Sequence, residues 1–502
     1  MSGREMFSSR WSIVLVGLGM AVGTGNLWRF PRIVAENGGG AFLVCWLVFL
    51  FTWSIPLLIT EFAIGRKTRR GPIGALAQLN GEASAWLGGF VVVTTVMIMF
   101  YYSVVTGWAL KYAIAAGTGL LSAVDPELFW LDYSGSFWQP SLFHIVSIGA
   151  AGVIVARGIT GGIERASRIL IPLLFGLLLC AVARAVTLPG ASAGLAFLFV
   201  PDTDAFMNYQ TWLEALTQSA WSTGAGWGLL LSYAVYVRKS ENVVSQAMRI
   251  GVGNNLASIL AAMAILPAAF AVLTPAEARD ALASGNVGLT FVWIPRLFSQ
   301  MPAGDYLLAA FFVALFSAAL SSLIAMVELA SRALIDRGMA RRKAVRLVVL
   351  LSVICGLPSA FSLAFFENQD WVWSLGLMIS GMVIAGSAIR FGVQKFRVQL
   401  VNTHVDGLQV GSWYSWCLLY LVPIQFLAMF GWWIYQSVVV YEADAWWDPF
   451  RSLSLWSSSR RSFIEWSTMV ATGYRTGINR QKCLPAGTFL RCPTPPVEPD
   501  DA

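Results

Sequence analysis

Apolar runs long enough to cross a lipid bilayer dominate this sequence. A spanning helix needs about 20 such residues, and lipid offers an open backbone no hydrogen-bond partner. Runs of this kind fall at roughly 11–34, 41–64, 86–118, 143–157, 168–188, 209–237, 245–273, 305–336, 344–365, 370–394 and 412–438. The chain therefore reads as an all-α polytopic membrane protein. With 57% hydrophobic and 12% charged residues in 502, it lacks the polar surface a soluble protein of this length needs. The net charge of +7 does not indicate nucleic acid, because the basic residues gather in short loops.

Loop charge orients the spans. RKTRR (66–70), Arg157, Arg165, Arg168, Arg238, Lys239, RRK (341–343), Lys395 and Arg397 fall on one side. Asp125, Glu127, Asp132, Asp202, Asp204, Glu277, Asp280, Glu367 and Asp444 fall on the other. The positive-inside rule then puts the N-terminus in the cytoplasm and the end of the eleventh span outside. In the loop 274–304, TPAE carries a capping-box pattern with Pro275 at the first helical position, which predicts a helix there. Residues 449–502 contain no continuous apolar run and end Pro-rich and acidic, so a non-spanning, disordered tail is expected.

Two spans are interrupted alike. The first contains Gly23-Thr24-Gly25-Asn26 and then Arg29; the sixth contains WSTGAGWG (221–228). Glycine is poor inside a helix, and neither open backbone nor a guanidinium is tolerated in bare lipid. Paired interruptions in corresponding places of two five-helix halves point to a transporter site at the membrane midplane. The ends of half-helices offer N–H groups suited to a carboxylate and carbonyls suited to a hard cation such as Na⁺. Asn26, Ser222, Asn254, Ser321 and Ser322 add neutral oxygens. Plain packing is the alternative for the glycines, since Gly19 and Gly23 also make a GxxxG contact motif; Asn26 and Arg29 favour the site, because a contact motif does not need them. The remaining chemistry is sparse. Cys45, Cys180, Cys355 and Cys417 read as buried thiols, Cys483 and Cys492 can pair only if the tail meets an oxidising compartment, and His144 and His404 match no metal spacing. No nucleophile–base pair or continuous polar pore lining suggests an enzyme or a channel.

AVGTGNLWRFP (21–31), ENGGGAF (36–42), RGITGGIERASRILIP (157–172), SYAVYVRK (232–239) and FSAALSSLIAM (316–326) resemble the neurotransmitter:sodium symporters. The resemblance runs from about residue 4 to 440. It implies a leucine-transporter-like fold, an inverted 5+5 helix repeat with discontinuous helices 1 and 6. A cytoplasmic segment 1–10 would precede repeats at 11–188 and 209–394, followed by an eleventh-helix region at 395–448 and the tail at 449–502. It also implies Na⁺-coupled uptake by alternating access, in the plasma (bacterial inner) membrane.

Carried over by position, a first sodium would lie among Ala21, Asn26, Ser222, Asn254 and the substrate carboxylate. A second would lie among Gly19, Val22, Ala318, Ser321 and Ser322. Chloride dependence stays open: Trp46, Gln218, Ser222, Asn254 and Ser258 could hold the anion, with Trp46 where the family has a tyrosine. Gly23 stands where the family's monoamine carriers have an aspartate, leaving room for a substrate carboxylate. Ala21, Gly23, Gly25, Tyr102 and Ser222 would meet the amino and carboxylate groups. Ile98, Trp221, Gly224, Trp227, Ser322 and Met326 would line an uncharged side-chain pocket, implying a neutral amino acid. Arg29 and Asp370 would close the outer vestibule, and Arg4 and Asp336 the cytoplasmic one. Glu61 is expected to cap N–H groups freed in the sixth span, whereas Glu328 is unexplained by the resemblance. No cofactor is implied beyond the coupled ions. The competing reading is an amino-acid-binding membrane sensor or scaffold that does not transport.

Overall fold

A computed structural model describes residues 5–403 and 407–437. The expected disordered tail, the Cys483–Cys492 pair, His404 and the gate residue Arg4 lie outside the described residues. Among the described residues the secondary structure is helical apart from one bridge, between Gly39 and Pro201. Nine helices are long and apolar enough to cross a membrane, and a tenth crossing is the pair Arg10–Ala21 and Gly25–Glu36, bent by 59° at its break. The sixth span completes the set as two short helices, Tyr209–Ser222 and Leu229–Ala234.

The helices differ from their expected bounds where polar residues are satisfied inside the protein. The fifth span runs Ile159–Ala185, nine residues earlier than its apolar run. Its first turn contains Glu164, whose carboxylate is almost fully buried, accepts from Ser8 N (3.1 Å) and Ser12 Oγ (2.7 Å), and pairs with Arg168. The tenth span begins at Leu363 rather than 370, because Ser362 accepts the N–H of Phe365 and starts the helix there. The fourth runs Trp138–Ala156, with Pro140 tolerated in its first turn. The loop helix appears as Pro275–Ala283. Thr274 Oγ1 accepts from Glu277 N, and Thr274 N and Oγ1 both donate to Glu277 Oε2, which holds the Glu277 carboxyl below its ordinary range.

The third and eighth spans pack most extensively against one another. Between spans, lipid supplies no hydrophobic drive, so close packing and hydrogen bonds hold them together. The large exposed side chains are mostly apolar, among them Leu47, Phe51, Val153, Ile169, Leu256, Leu350, Ile354 and Leu427, as a lipid-facing surface requires. Cys45 and Cys417 are buried as expected, but Cys180 and Cys355 are exposed. An apolar thiol is as well accommodated on a lipid-facing surface as in the core.

Candidate substrate and ion site

Both interruptions are real breaks and they face the same cavity. The first half of span one ends at Ala21. Asn26 then folds back so that its Oδ1 accepts from Gly23 N at 2.9 Å, replacing a lost helical bond. In span six, Gly224, Gly226 and Gly228 all have positive φ. A Cβ on Gly226 would lie 2.6 Å from the Gly381 Cα, so this close approach of two backbones also excludes a side chain. Glu61, fully buried in span two, accepts Gly226 N (2.6 Å) and Gly228 N (3.2 Å) on Oε1 and Leu231 N (3.1 Å) on Oε2. One carboxyl group thus supplies the acceptors that the broken helix lacks.

The breaks line a cavity that opens to its surroundings. Of the residues expected on its wall, Ala21, Gly23, Gly25, Asn26, Tyr102, Trp221, Ser222, Gly224, Trp227, Ser322 and Met326 are there, with Gln218, Arg29 and Asp370. Ile98 is not: it is fully buried, and Trp227, whose carbonyl is tied to the third span by Thr95 Oγ1 at 2.8 Å, faces the cavity instead. A Cβ on Gly23 would come within 2.8 Å of Tyr102 Oη and 3.1 Å of Ser322 Oγ, so this glycine keeps the space between two hydroxyls open. The Tyr102 hydroxyl accepts from Thr24 N at 3.1 Å. Trp221 and Trp227 meet edge to face, with ring centroids 5.6 Å apart. Met20, in the last turn of the first half-helix, and Thr24, within the break, also line the wall; Thr24 was part of the interruption read from the sequence, and Met20 was not singled out.

Two groups of neutral oxygens flank the first break. In one, the Asn254 amide oxygen faces the carbonyl oxygens of Ser222, at 2.8 Å, and Ala21, at 3.1 Å. These acceptors repel unless the amide turns over or a cation sits among them. Asn26 Nδ2 donates to Asn254 Oδ1 (2.9 Å) and Ser258 Oγ (2.7 Å), which places Asn254 rather than Asn255 beside the motif asparagine. In the other, Ser322 Oγ lies 3.3 Å from each of the carbonyl oxygens of Gly19, Met20 and Val22, while Ser321 Oγ bonds Ala318 O at 2.9 Å. Carbonyls at the end of a half-helix have no intrahelical donor, and sets of neutral oxygens suit a hard monovalent cation. No cluster of three or more His, Cys, Asp or Glu that could hold a metal ion occurs among the described residues. Of the residues expected around an anion, Gln218 Nε2 donates to Gly25 O at 3.4 Å, and the Trp46 indole N–H is buried without a partner among the described residues.

The expected outer gate pair is not formed, and the cytoplasmic one rests on Arg4, which lies outside the described residues. Arg29 Nη2 lies 3.9 Å from Glu214 Oε2, and Asp370, across the cavity mouth, makes no ion pair among the described residues. The guanidinium lies instead beside the acid on the sixth span. Asp336 pairs with Arg332, one turn before it, at 2.5 Å, and accepts Gly71 N at 2.6 Å. Glu328 now has an account. Its carboxylate, fully buried, takes Arg341 Nη1 at 2.6 Å and the Tyr236 hydroxyl at 2.5 Å, and Arg341 also reaches Glu5 at 3.1 Å. Phe7 packs edge to face on Tyr233 and Tyr236. These contacts tie the N-terminal segment and spans six, eight and nine together on the face bearing the basic loops.

A model of the "Sodium:neurotransmitter symporter family" matches residues 4–132 and 139–471. An uncharacterized sodium-dependent transporter of Methanocaldococcus jannaschii is 35% identical over 441 residues, covering 84% of this chain and 88% of that protein. A sodium-dependent neutral amino acid transporter of Mus musculus is 30% identical over 306 residues, 54% of this chain and 41% of its own length. The crystal structure of MhsT in complex with L-phenylalanine superposes with a TM-score of 0.73 at 30% identity, covering 85% of this chain and 99% of that one.

Proposed function

The chain belongs to the sodium:neurotransmitter symporter family and has its leucine-transporter-like fold with discontinuous helices 1 and 6, and from that premise we propose that it carries a neutral amino acid inward with Na⁺ by alternating access. The observation carrying this reading is the convergence of the Ala21 and Ser222 carbonyls with Asn26 and Asn254 beside an uncharged pocket. The first sodium sits among those oxygens and the substrate carboxylate; the second sits among Gly19, Val22, Ala318, Ser321 and Ser322. Gly23, Gly25 and Tyr102 receive the carboxylate and amine. Trp221, Gly224, Trp227, Ser322 and Met326 surround the side chain, which is neutral because none of them carries a charge. The L-phenylalanine bound by MhsT and the neutral amino acids named for the mouse relative support this class of substrate.

Coupling follows from charge. Each positive charge moved inward gains about 2.3 kcal/mol per 100 mV of membrane potential, so sodium entry drives a zwitterion uphill. Asp370 and Arg29 close the outer mouth on occupancy, and the cytoplasmic network around Asp336 and Arg4 then opens, with the N-terminus in the cytoplasm of a bacterial inner membrane. Chloride dependence is the open part of this reading, with Trp46, Gln218, Ser222, Asn254 and Ser258 as the residues that would hold the anion; the unpartnered Trp46 indole is what supports it.

Proteoliposomes holding the protein, given labelled neutral amino acids, test the reading. Accumulation under an inward Na⁺ gradient and none under K⁺ is expected. Na⁺-dependent binding without accumulation would replace transport by the sensor reading. Exchanging chloride for gluconate is expected to lower uptake, and unchanged uptake would remove the chloride site.

A further inference from the structure

Glu214 is an acid the symporter reading leaves unused. It lies in the first half of span six, one helical turn before Gln218 and two before Ser222, on the face that lines the cavity. Its carboxylate is largely buried, as is the Arg29 guanidinium 3.9 Å away. Arg29 stands one turn after Gly25, whose carbonyl accepts from Gln218. Span one and span six are therefore tied at Gly25–Gln218 and meet again, one turn higher, at Arg29–Glu214. Asp370 belongs to span ten, across the mouth of the same cavity. Of the other charges nearby, Arg32 holds Glu36 at 2.7 Å and donates to Asn286 at 2.7 Å, while Glu367 stands one turn before Asp370 on the same helix and adds to the negative charge on that side. One guanidinium thus faces two acids carried by two different elements.

We propose that Glu214 is a positioning residue that holds Arg29 on the span-six side of the mouth, so that closure requires the guanidinium to pass from Glu214 to Asp370. The proposal rests on reading Arg29 and Asp370 as the outer closure. Two acids compete for one cation, so the equilibrium between open and closed mouths is set by their difference, not by Asp370 alone. A contact of this length at a partly exposed site shifts such an equilibrium by about fivefold.

The test reads the mouth directly and needs no transport. Cysteine is placed at Gly25, where an added Cβ meets no atom within 4 Å, in a full-length chain whose Cys180, Cys355, Cys483 and Cys492 are serine. A charged, membrane-impermeant thiol reagent added to proteoliposomes in Na⁺ reports access past Arg29. Glu214→Gln is expected to slow labelling about fivefold, by freeing Arg29 for Asp370. Asp370→Asn added to it should restore the parent rate, and Glu214→Asp, which keeps the charge, should stay near it. An unchanged or faster rate in Glu214→Gln overturns the proposal. So does slowing that Asp370→Asn fails to reverse, since that would show Glu214 acting on something other than the exchange. Absence of sodium-driven uptake by the unmodified chain, with Gly25 still in place, alongside labelling as described would instead count against the symporter reading alone.

Discussion

Replacing Glu61 with glutamine should loosen one end of the span-six break and leave the other nearly intact. The carboxyl accepts two N–H groups on Oε1, from Gly226 and Gly228, and one on Oε2, from Leu231. A glutamine keeps one carbonyl oxygen, and the orientation that preserves two bonds is favoured over the one that preserves a single bond. Its NH₂ then faces the Leu231 N–H, donor against donor. Leaving one buried donor unsatisfied costs about 1–3 kcal/mol, or roughly a 5- to 150-fold change in a local opening equilibrium. Amide hydrogen exchange of the purified protein, followed by mass spectrometry of overlapping peptides, separates residues 223–229 from 230–236. Exchange in Glu61→Gln should accelerate by that factor at Leu231 and much less at Gly226 and Gly228. Glu61→Ala should accelerate all three. Unchanged exchange at Leu231, or a larger effect at Gly226 than at Leu231, would refute the reasoning.

Two further predictions concern other parts of the protein. Gly23→Ala puts a Cβ within 2.8 Å of Tyr102 Oη and 3.1 Å of Ser322 Oγ; overpacking of about 1–3 kcal/mol should weaken labelled amino-acid binding by roughly 5- to 150-fold, and parental affinity would show that the substrate carboxylate does not lie there. Glu328→Gln leaves Arg341 without its closest partner in a buried setting, at a cost at the lower end of about 3–5 kcal/mol because Glu5 remains; the melting temperature in detergent should fall, and the double variant with Arg341→Gln should recover part of the loss.

The breaks, the oxygen-rich motif and the helical class were legible because each leaves a local mark: glycines inside apolar runs, an asparagine directly after them, a capping box at Thr274. Glu61 was legible because a carboxylate inside a span needs donors, and the broken helix has them. Ion-pair partners were not legible. Arg29 has both Glu214 and Asp370 near it once the chain is folded, and Asp336 turns to Arg332 on its own helix. Arg341 reads in sequence as one of several loop arginines; only the fold brings it beneath Glu328. The start of span five was missed because TGGIER looks like a loop until Ser8, Ser12 and Arg168 close around Glu164.

The central claim is that unwound backbone in spans one and six, completed by Asn26 and Asn254, binds sodium together with the substrate. A sodium titration of labelled amino-acid binding, comparing the parent protein with Asn26→Ala, tests it most directly. The parent should bind in proportion to sodium occupancy, and the Asn26→Ala variant should lose the sodium-stimulated component at concentrations that saturate the parent. An Asn26→Ala protein with the parental sodium dependence would contradict the account.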